Sequence, residues 1–391
     1  MATRVIRMNV AALSLYSLFR GFSVSGYQVL FSAYMRSLGY SMTSIGGAVT
    51  VSSLAGALLA PGFGAVIECY GARLTTTLTG LMLVVSLLLL SIPEPGYAAF
   101  VASYVLYMLA FSLGQPARST LLAKSVPGEL HGYYTGVTMA VFATARIVGP
   151  LTAGWLAARA GYPQAFTVLT LSAAVGVTVF HILSMEPSEP ACKNTLQKLR
   201  SAYTSALKPH KELRRLYPLL VVDRSGWSLW FPLLSAQLKA VGYTEDQIGA
   251  LYTASSLLQA TTSMVWGRLT DRLGPAKTVA SSELLGAAAL PLLANPHPWI
   301  NAAAGMALIG LSIAAWVPAY NKLVAQLARG NLGEAYANAN AVRSLAGTPT
   351  PTIGGIIYET LGPAALYTLS ATLLTTSAAY ALKTLDTKTT K

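Results

Sequence analysis

The sequence predicts an all-α membrane protein of twelve transmembrane helices in two pseudo-symmetric six-helix bundles, and three observations carry that prediction. The first is composition: 53% of the 391 residues are hydrophobic, 10% are charged, and the mean hydropathy is +0.52. A soluble chain of this length is far less apolar. The second is a series of twelve long apolar runs separated by short Gly- and Pro-rich connections. The third is an internal repeat at one offset, in which Gly39-Tyr40 pairs with Gly242-Tyr243, Ile45-Gly46 with Ile248-Gly249, Gly64 with Gly267 and Gly71 with Gly274. Each pair is separated by 203 residues, since 267 − 64 = 203. Further on the offset slips to 201 or 202, joining Pro150 to Pro351, Gly154 to Gly355 and Gly161 to Gly362. Two parallel copies of one unit explain a register held over this length.

Crossing a hydrocarbon layer about 30 Å thick takes about 20 apolar residues, because a helix rises about 1.5 Å per residue. By that measure the first half contributes spans over 9–35, 44–67, 74–92, 97–123, 133–158 and 163–185. The second contributes 215–238, 247–269, 276–294, 299–327, 335–358 and 364–383. The expected domains are therefore a bundle over 1–185, a link over 186–214 and a second bundle over 215–391. The link is polar and basic, with Lys193, Lys198, Arg200, Lys208, Lys211 and Arg214, and Arg215 directly follows it. Eighteen Lys and Arg outside the spans fall on its side of the membrane, whereas only Arg36, Arg159 and Lys239 fall on the other. The positive-inside rule then places both termini and the link in the cytoplasm of a multi-pass plasma-membrane protein. Arg4 and Arg7 precede an apolar run too long for a signal peptide, so that run reads as the first span.

The net charge of +13 does not point to nucleic acid, because the cations flank apolar segments rather than clustering on a solvated face. The two cysteines, Cys69 and Cys192, imply no disulfide framework. His131, His181, His210 and His297 are isolated, and no metal-ligand spacing, nucleotide-binding loop or nucleophile–base pair is present. An enzyme is not expected, nor any cofactor.

Two polar connections stand out. Residues 267–277 read Gly-Arg-Leu-Thr-Asp-Arg-Leu-Gly-Pro-Ala-Lys, and their weaker copy at 64–73 reads Gly-Ala-Val-Ile-Glu-Cys-Tyr-Gly-Ala-Arg. In each, the first glycine (Gly64, Gly267) can admit a neighbouring helix and the second (Gly71, Gly274) permits a tight turn. Glu68 or Asp271 at a helix end can accept hydrogen bonds from basic neighbours or from a helix N-terminus.

With six spans per half and a basic link between them, this Gly-x-x-x-Asp-Arg-x-Gly element resembles the signature loop of the major facilitator superfamily of secondary transporters. The resemblance covers the whole chain. Gly267, Asp271, Arg272 and Gly274 match the loop, and Lys277 stands slightly late. The first copy departs from it, with Glu68 for Asp and Cys69 where a basic residue is usual, and ends on Arg73. The resemblance implies that these residues latch the cytoplasmic side in one alternating-access state; a turn that only sets topology is the other reading. It also implies a monomer in the lipid bilayer that binds a small-molecule substrate and draws on a proton gradient. Gly149, Pro150 and Gly154 in the fifth span are similar to a Gly-Pro element of proton antiporters in that superfamily, and Pro351 and Gly355 answer them in the eleventh. Close helix packing explains these residues equally well.

Charges inside spans are costly and need a partner or a watery cavity. The cations are Arg20, Arg118, Arg146, Arg224, Lys322 and Arg343, and the acids are Asp223 and Glu283. The resemblance places spans one, four, seven and ten around a central cavity. On the first, Tyr16 and Tyr27 share roughly one face with Arg20. On the fourth, Tyr104, Tyr107, Phe111, Gln115 and Arg118 form a helical stripe. The seventh offers Asp223, Trp227 and Trp230, and the tenth Ser312, Trp316, Tyr320, Asn321 and Lys322. These aromatic stripes read either as substrate contacts or as packing. Asp223 is the acid best suited to proton coupling, and its repeat partner Arg20 suggests an ion pair; a static pair is the alternative. Glu283 is expected to face away from the cavity, with a lesser coupling role. The function expected is proton-coupled export of small organic compounds, as in multidrug efflux. The runner-up is transport of an organic anion bound by Arg20, Arg118 or Arg146, and a non-transporting receptor or scaffold is the alternative from another class.

Overall fold

The structure is a computed structural model describing residues 2–186, 194–206, 211–328 and 332–385. Cys192, Lys193, Lys208, His210, Arg329, Lys388 and Lys391 lie outside the described residues. Every regular element among them is helical. In the first repeat these are α1 (Ala2–Ser37), α2 (Met42–Leu59), α3 (Phe63–Tyr70), α4 (Ala72–Leu88), α5 (Tyr97–Ser125), α6 (Gly128–Ala160) and α7 (Tyr162–Leu183). After α8 (Thr195–Ala206) in the link come α9 (Tyr217–Ser228), α10 (Leu234–Ala240), α11 (Glu245–Leu273), α12 (Pro275–Ala294), α13 (Trp299–Leu327), α14 (Leu332–Gly347) and α15 (Thr350–Tyr380).

These helices follow the predicted spans, with breaks that the apolar runs conceal. The second span is interrupted by a 3-10 turn at Ala60–Gly62. Pro61 sits in that turn and Pro232 in the Phe231–Leu233 turn that splits the seventh span, where a missing N–H costs no helical hydrogen bond. The eleventh span divides at Thr348 and Pro349, and the last two are separated at Gly362, whose φ of 84° and ψ of 168° are not helical. Among the described residues, five helical stretches are long and apolar enough to cross a membrane on composition alone: 42–70, 97–125, 128–160, 162–183 and 299–327. The other spans are charged, shorter or broken.

Among the described residues, positive φ recurs at six glycines, and they form three repeat-related pairs: Gly39 and Gly242, Gly71 and Gly274, Gly161 and Gly362. A side chain at these angles would be strained. At Gly71 the turn is closed by its N–H to Ile67 O at 3.0 Å, and at Gly274 by the same bond to Thr270 O at 3.1 Å. The duplication read from sequence is thus repeated in the backbone.

Two compact units make up the chain. The first comprises Met1–Tyr34, Val51–Leu207 and Thr244–Gly249; the second comprises Met35–Thr50, Lys208–Tyr243 and Ala250–Lys391. Each unit therefore includes a short hairpin segment from the other repeat. In the first, Tyr162 donates from its hydroxyl to Glu245 at 2.8 Å. In the second, Thr43 donates to Glu359 from Oγ1 at 2.5 Å and from its amide at 3.4 Å, at the N-terminal end of α2. Third and fourth spans are tied in both repeats by reciprocal serine bonds, Ser86 with Ser103 and Ser282 with Ser312, each hydroxyl reaching the other residue's carbonyl at 2.8 Å.

Polar groups turn inward and apolar ones outward, as hydrocarbon solvent demands. On α4, Leu74, Leu78, Leu81, Val85 and Leu88 recur at steps of four and three, and all are exposed. Its opposite face buries Thr76, Thr79, Leu83 and Ser86. A contiguous apolar stripe of this size in water would drive association; in lipid it is the contact surface.

Candidate functional site: two buried charge clusters

The first unit carries a cationic cluster between α1, α5 and α6. Arg20 is 4% exposed, and its guanidinium lies over the rings of Phe111 and Phe142 at 5.5 and 5.4 Å. Arg118 lies over Tyr16 at 5.9 Å and donates to Gln115 Oε1 at 2.8 Å. One terminal nitrogen of each arginine, Nη2 of Arg20 and Nη1 of Arg118, is buried without a hydrogen-bond partner. A cavity of about 110 Å3 opens here, lined by both arginines together with Gln115, His131, Thr135 and Phe142. Arg146 lies within electrostatic reach of Arg20 and Tyr107 but does not line that cavity. Gly114 gives Arg118 room, since a Cβ there would sit 2.8 Å from Nη1.

Much of the aromatic stripe proves to be core. Tyr27 is fully buried, stacks on Tyr107 at 4.3 Å and shares a 3.0 Å hydrogen bond with Ser103. Tyr104 packs edge-on to Phe31 at 4.6 Å. Only Phe111, 42% exposed, keeps a large open surface. Sequence reasoning named Arg146 on α6 but missed the rest of that helix's contribution. His131, Thr135, Thr138, Phe142 and Arg146 recur at steps of four, three, four and four, a helical stripe passed over because His131 was weighed only as a lone metal ligand.

The second unit holds the acids. Asp223 is fully buried and its Oδ2 accepts from Arg343 Nη2 at 3.2 Å. The sequence-based expectation paired Asp223 with Arg20; the side chain that meets it instead comes from the eleventh span. Glu283 was expected to face away, yet it is fully buried beside Asp223, Trp227 and Arg343. Neither Glu283 oxygen has a hydrogen-bond partner, and Asp223 Oδ1 also lacks one. Arg343 is held from its other side by Trp316 at 4.6 Å and Tyr320 at 5.2 Å, and Tyr320 donates to Asn340 at 3.2 Å. Trp230 is wholly buried against Trp227 and Tyr367, which is a packing role. Arg224 is set against Gly347, where a Cβ would fall 2.8 Å from its Nε. Asn321 contributes its carbonyl to the Tyr336 hydroxyl at 2.7 Å.

Lys322 meets the signature loop, where its ammonium pairs with Asp271 Oδ1 at 2.6 Å. In the weaker copy, Glu68 pairs with Lys198 of the link helix α8. Arg73 caps the end of α7, donating to His181 O at 2.6 Å and Ser184 Oγ at 3.2 Å. The close approach expected at Gly64 and Gly267 is not found, since a Cβ on either would meet open space. Gly62 takes that role against Leu199, at 3.0 Å from an added Cβ.

The Gly-Pro elements mark tight backbone packing. A Cβ on Gly149 would lie 2.8 Å from Phe22 O, and on Gly154 2.3 Å from Glu245 O. On Gly355 it would lie 2.4 Å from Met42 O. The Pro150 and Pro351 carbonyls in turn face Gly249 and Gly46, at 2.4 and 2.1 Å from an added Cβ. Small residues here let backbones meet without hydrogen-bond loss.

Comparison with known proteins agrees with this geometry. The family model described as Major Facilitator Superfamily matches residues 13–236 and 216–391. The multi-drug resistance efflux pump PmrA of Streptococcus pneumoniae is 22% identical over 330 residues, covering 82% of this chain and 80% of its own. The multidrug resistance protein MdtG of Escherichia coli is 22% identical over 349 residues, covering 86% and 83%. Among solved structures, a D-xylose–proton symporter superposes with a TM-score of 0.76 at 13% identity over 97% of this chain and 98% of that one. The nucleoside transporter NupG gives 0.74 at 12% identity over 96% and 98%. With both halves matched and twelve spans in two repeats, the chain belongs to the Major Facilitator Superfamily and is a multi-pass membrane transporter, not an enzyme.

Proposed function

We propose that this transporter exports small organic compounds by alternating access in exchange for protons, with Asp223 and Glu283 as the proton-exchanging pair. One observation carries the reading: two fully buried carboxylates face a single guanidinium, Arg343, and three of their four oxygens lack hydrogen-bond partners. With both acids ionised the cluster holds one negative charge in excess, and one proton cancels it. An uncompensated charge at mid-membrane costs about 2.5–3.5 kcal/mol on insertion scales. A difference of that size is enough to bias a two-state equilibrium about a hundredfold. Export is supported by the efflux names of PmrA and MdtG. The energy source is then the proton gradient, with no cofactor. The excess of Lys and Arg beside the link supports cytoplasmic termini in a plasma membrane, and a monomer completes the reading. Asp271 with Lys322, and Glu68 with Lys198, are the candidate latch contacts on the cytoplasmic face, Asp271 with Arg272 being the copy closer to the family loop.

The test is movement of labelled solutes into proteoliposomes under an imposed pH gradient. Asp223→Asn and Glu283→Gln should each abolish gradient-driven movement while leaving solute binding measurable. Full gradient-driven transport in Asp223→Asn would falsify the assignment.

A further inference from the structure

We infer that the α1–α5–α6 cavity is an oxyanion subsite, which receives the carboxylate, sulfonate or phosphonate head of an organic anion. This deepens the transport reading above and rests on it. An arginine kept in a membrane protein for structure alone is satisfied by carboxylates or carbonyls. Arg20 is not, and Arg118 meets only the Gln115 amide oxygen, with its Nη1 left unpaired. Among the described residues no carboxylate pairs with either, and no acidic side chain lines the cavity. The protein holds them by neutral means instead: two ring faces flank Arg20, and one ring and an amide oxygen hold Arg118. Such contacts fix the position of a cation without cancelling its charge. What remains is a pair of buried N–H donors left unpaired beside an open volume, with Thr135 Oγ1 and His131 Nε2 likewise unpaired at its wall.

The dimensions set the ligand. About 110 Å3 is ample room for a compact anionic head beside the two guanidinium groups. Guanidinium forks match planar or tetrahedral oxyanions, and they repel a cationic amine. Leu13, Leu122, Met139 and Phe142 in the lining offer apolar surface for the rest of the molecule.

Purified protein in neutral detergent would be titrated with benzenesulfonate, benzoate and phenylphosphonate, and with neutral benzamide and cationic benzamidine, by calorimetry. Binding in detergent needs no gradient, so its outcome is independent of proton coupling by Asp223 and Glu283. At least one of the three anions should bind saturably and the two controls should not. Arg20→Gln and Arg118→Gln should each weaken that anion at least about tenfold, with Arg20→Lys intermediate. Because removing an unpaired buried charge relieves repulsion, Arg20→Gln should also melt no lower than the parent without ligand, and lose the thermal shift the anion gives the parent. Absence of binding by all three anions, equal binding of benzamidine, or unchanged affinity in both glutamine variants overturns the proposal. Displacement of the bound anion by phosphatidylglycerol would assign the subsite to lipid and overturn it as a solute site.

Discussion

Removing Arg343 tests the buried acid cluster most sharply. Arg343→Met preserves an apolar stem against Trp316 and Tyr320 but deletes the guanidinium that faces Asp223 at 3.2 Å. Breaking a buried ion pair from one side costs about 3–5 kcal/mol, since the surviving charge is stranded. The Arg343 side chain keeps 23% exposure, which screens part of the interaction and puts the expected loss near the lower end, about 3 kcal/mol. Asp223→Asn alone should lose less, about 1–2 kcal/mol, because Arg343 retains two ring faces and water. The double variant strands neither partner and should be more stable than the sum of the single losses implies, by a coupling of about 2 kcal/mol. Glu283 faces the same guanidinium, so the cycle is run in a Glu283→Gln background, where it isolates the Asp223–Arg343 term. Reversible unfolding in mixed detergent micelles at one pH supplies the four free energies. A coupling below about 0.5 kcal/mol would show that the 3.2 Å contact is incidental and would refute the cluster as drawn.

Three further outcomes follow from the packing and the loops. Gly354→Ala places a Cβ 1.8 Å from Leu229 O, a backbone atom that cannot swing away, so stability should fall by about 2 kcal/mol or more in the same unfolding assay; a loss under about 0.5 kcal/mol contradicts the contact. Gly267→Ala meets open space within helix α11 and should be neutral or stabilising by about 0.5–1 kcal/mol, so a clear loss would show that a helix does pack there. Asp271→Asn removes an exposed ion pair and should change stability by less than about 1 kcal/mol, while altering thiol labelling of cysteine probes on the cytoplasmic face. Unchanged labelling counts against a latch there.

The duplication was legible because it constrains backbone: a glycine needed at positive φ in one repeat is needed in the other, and Gly71 and Gly274 announce it at a fixed offset. Charged residues inside apolar runs were legible for the same reason of cost, and Arg20, Asp223, Glu283 and Arg343 all proved buried or partly buried. Partners were not. An offset of 203 gives equivalent heights in two repeats and says nothing of which rotamer meets which, so it proposed Arg20 for Asp223 where Arg343, 120 residues away, is the contact. Helix faces posed a second difficulty. The ninth span carries polar residues on more than one face, and the neighbours Asp223, Trp227 and Arg343 show that Glu283 lies on the inward one. Lys322 read as a cavity cation because it stands beside the Trp316–Tyr320 stripe in sequence, but two residues of helical rotation past Tyr320 send it to Asp271.

Reversal of the driving force tests proton-coupled export most directly. Proteoliposomes holding a labelled solute would be given a pH gradient of one sign, then of the opposite sign, with membrane potential clamped. Exchange through Asp223 and Glu283 requires the net solute flux to change direction with the gradient, and to vanish in Asp223→Asn. A flux that keeps one direction and one rate under both gradients, in the parent and the variant alike, contradicts it.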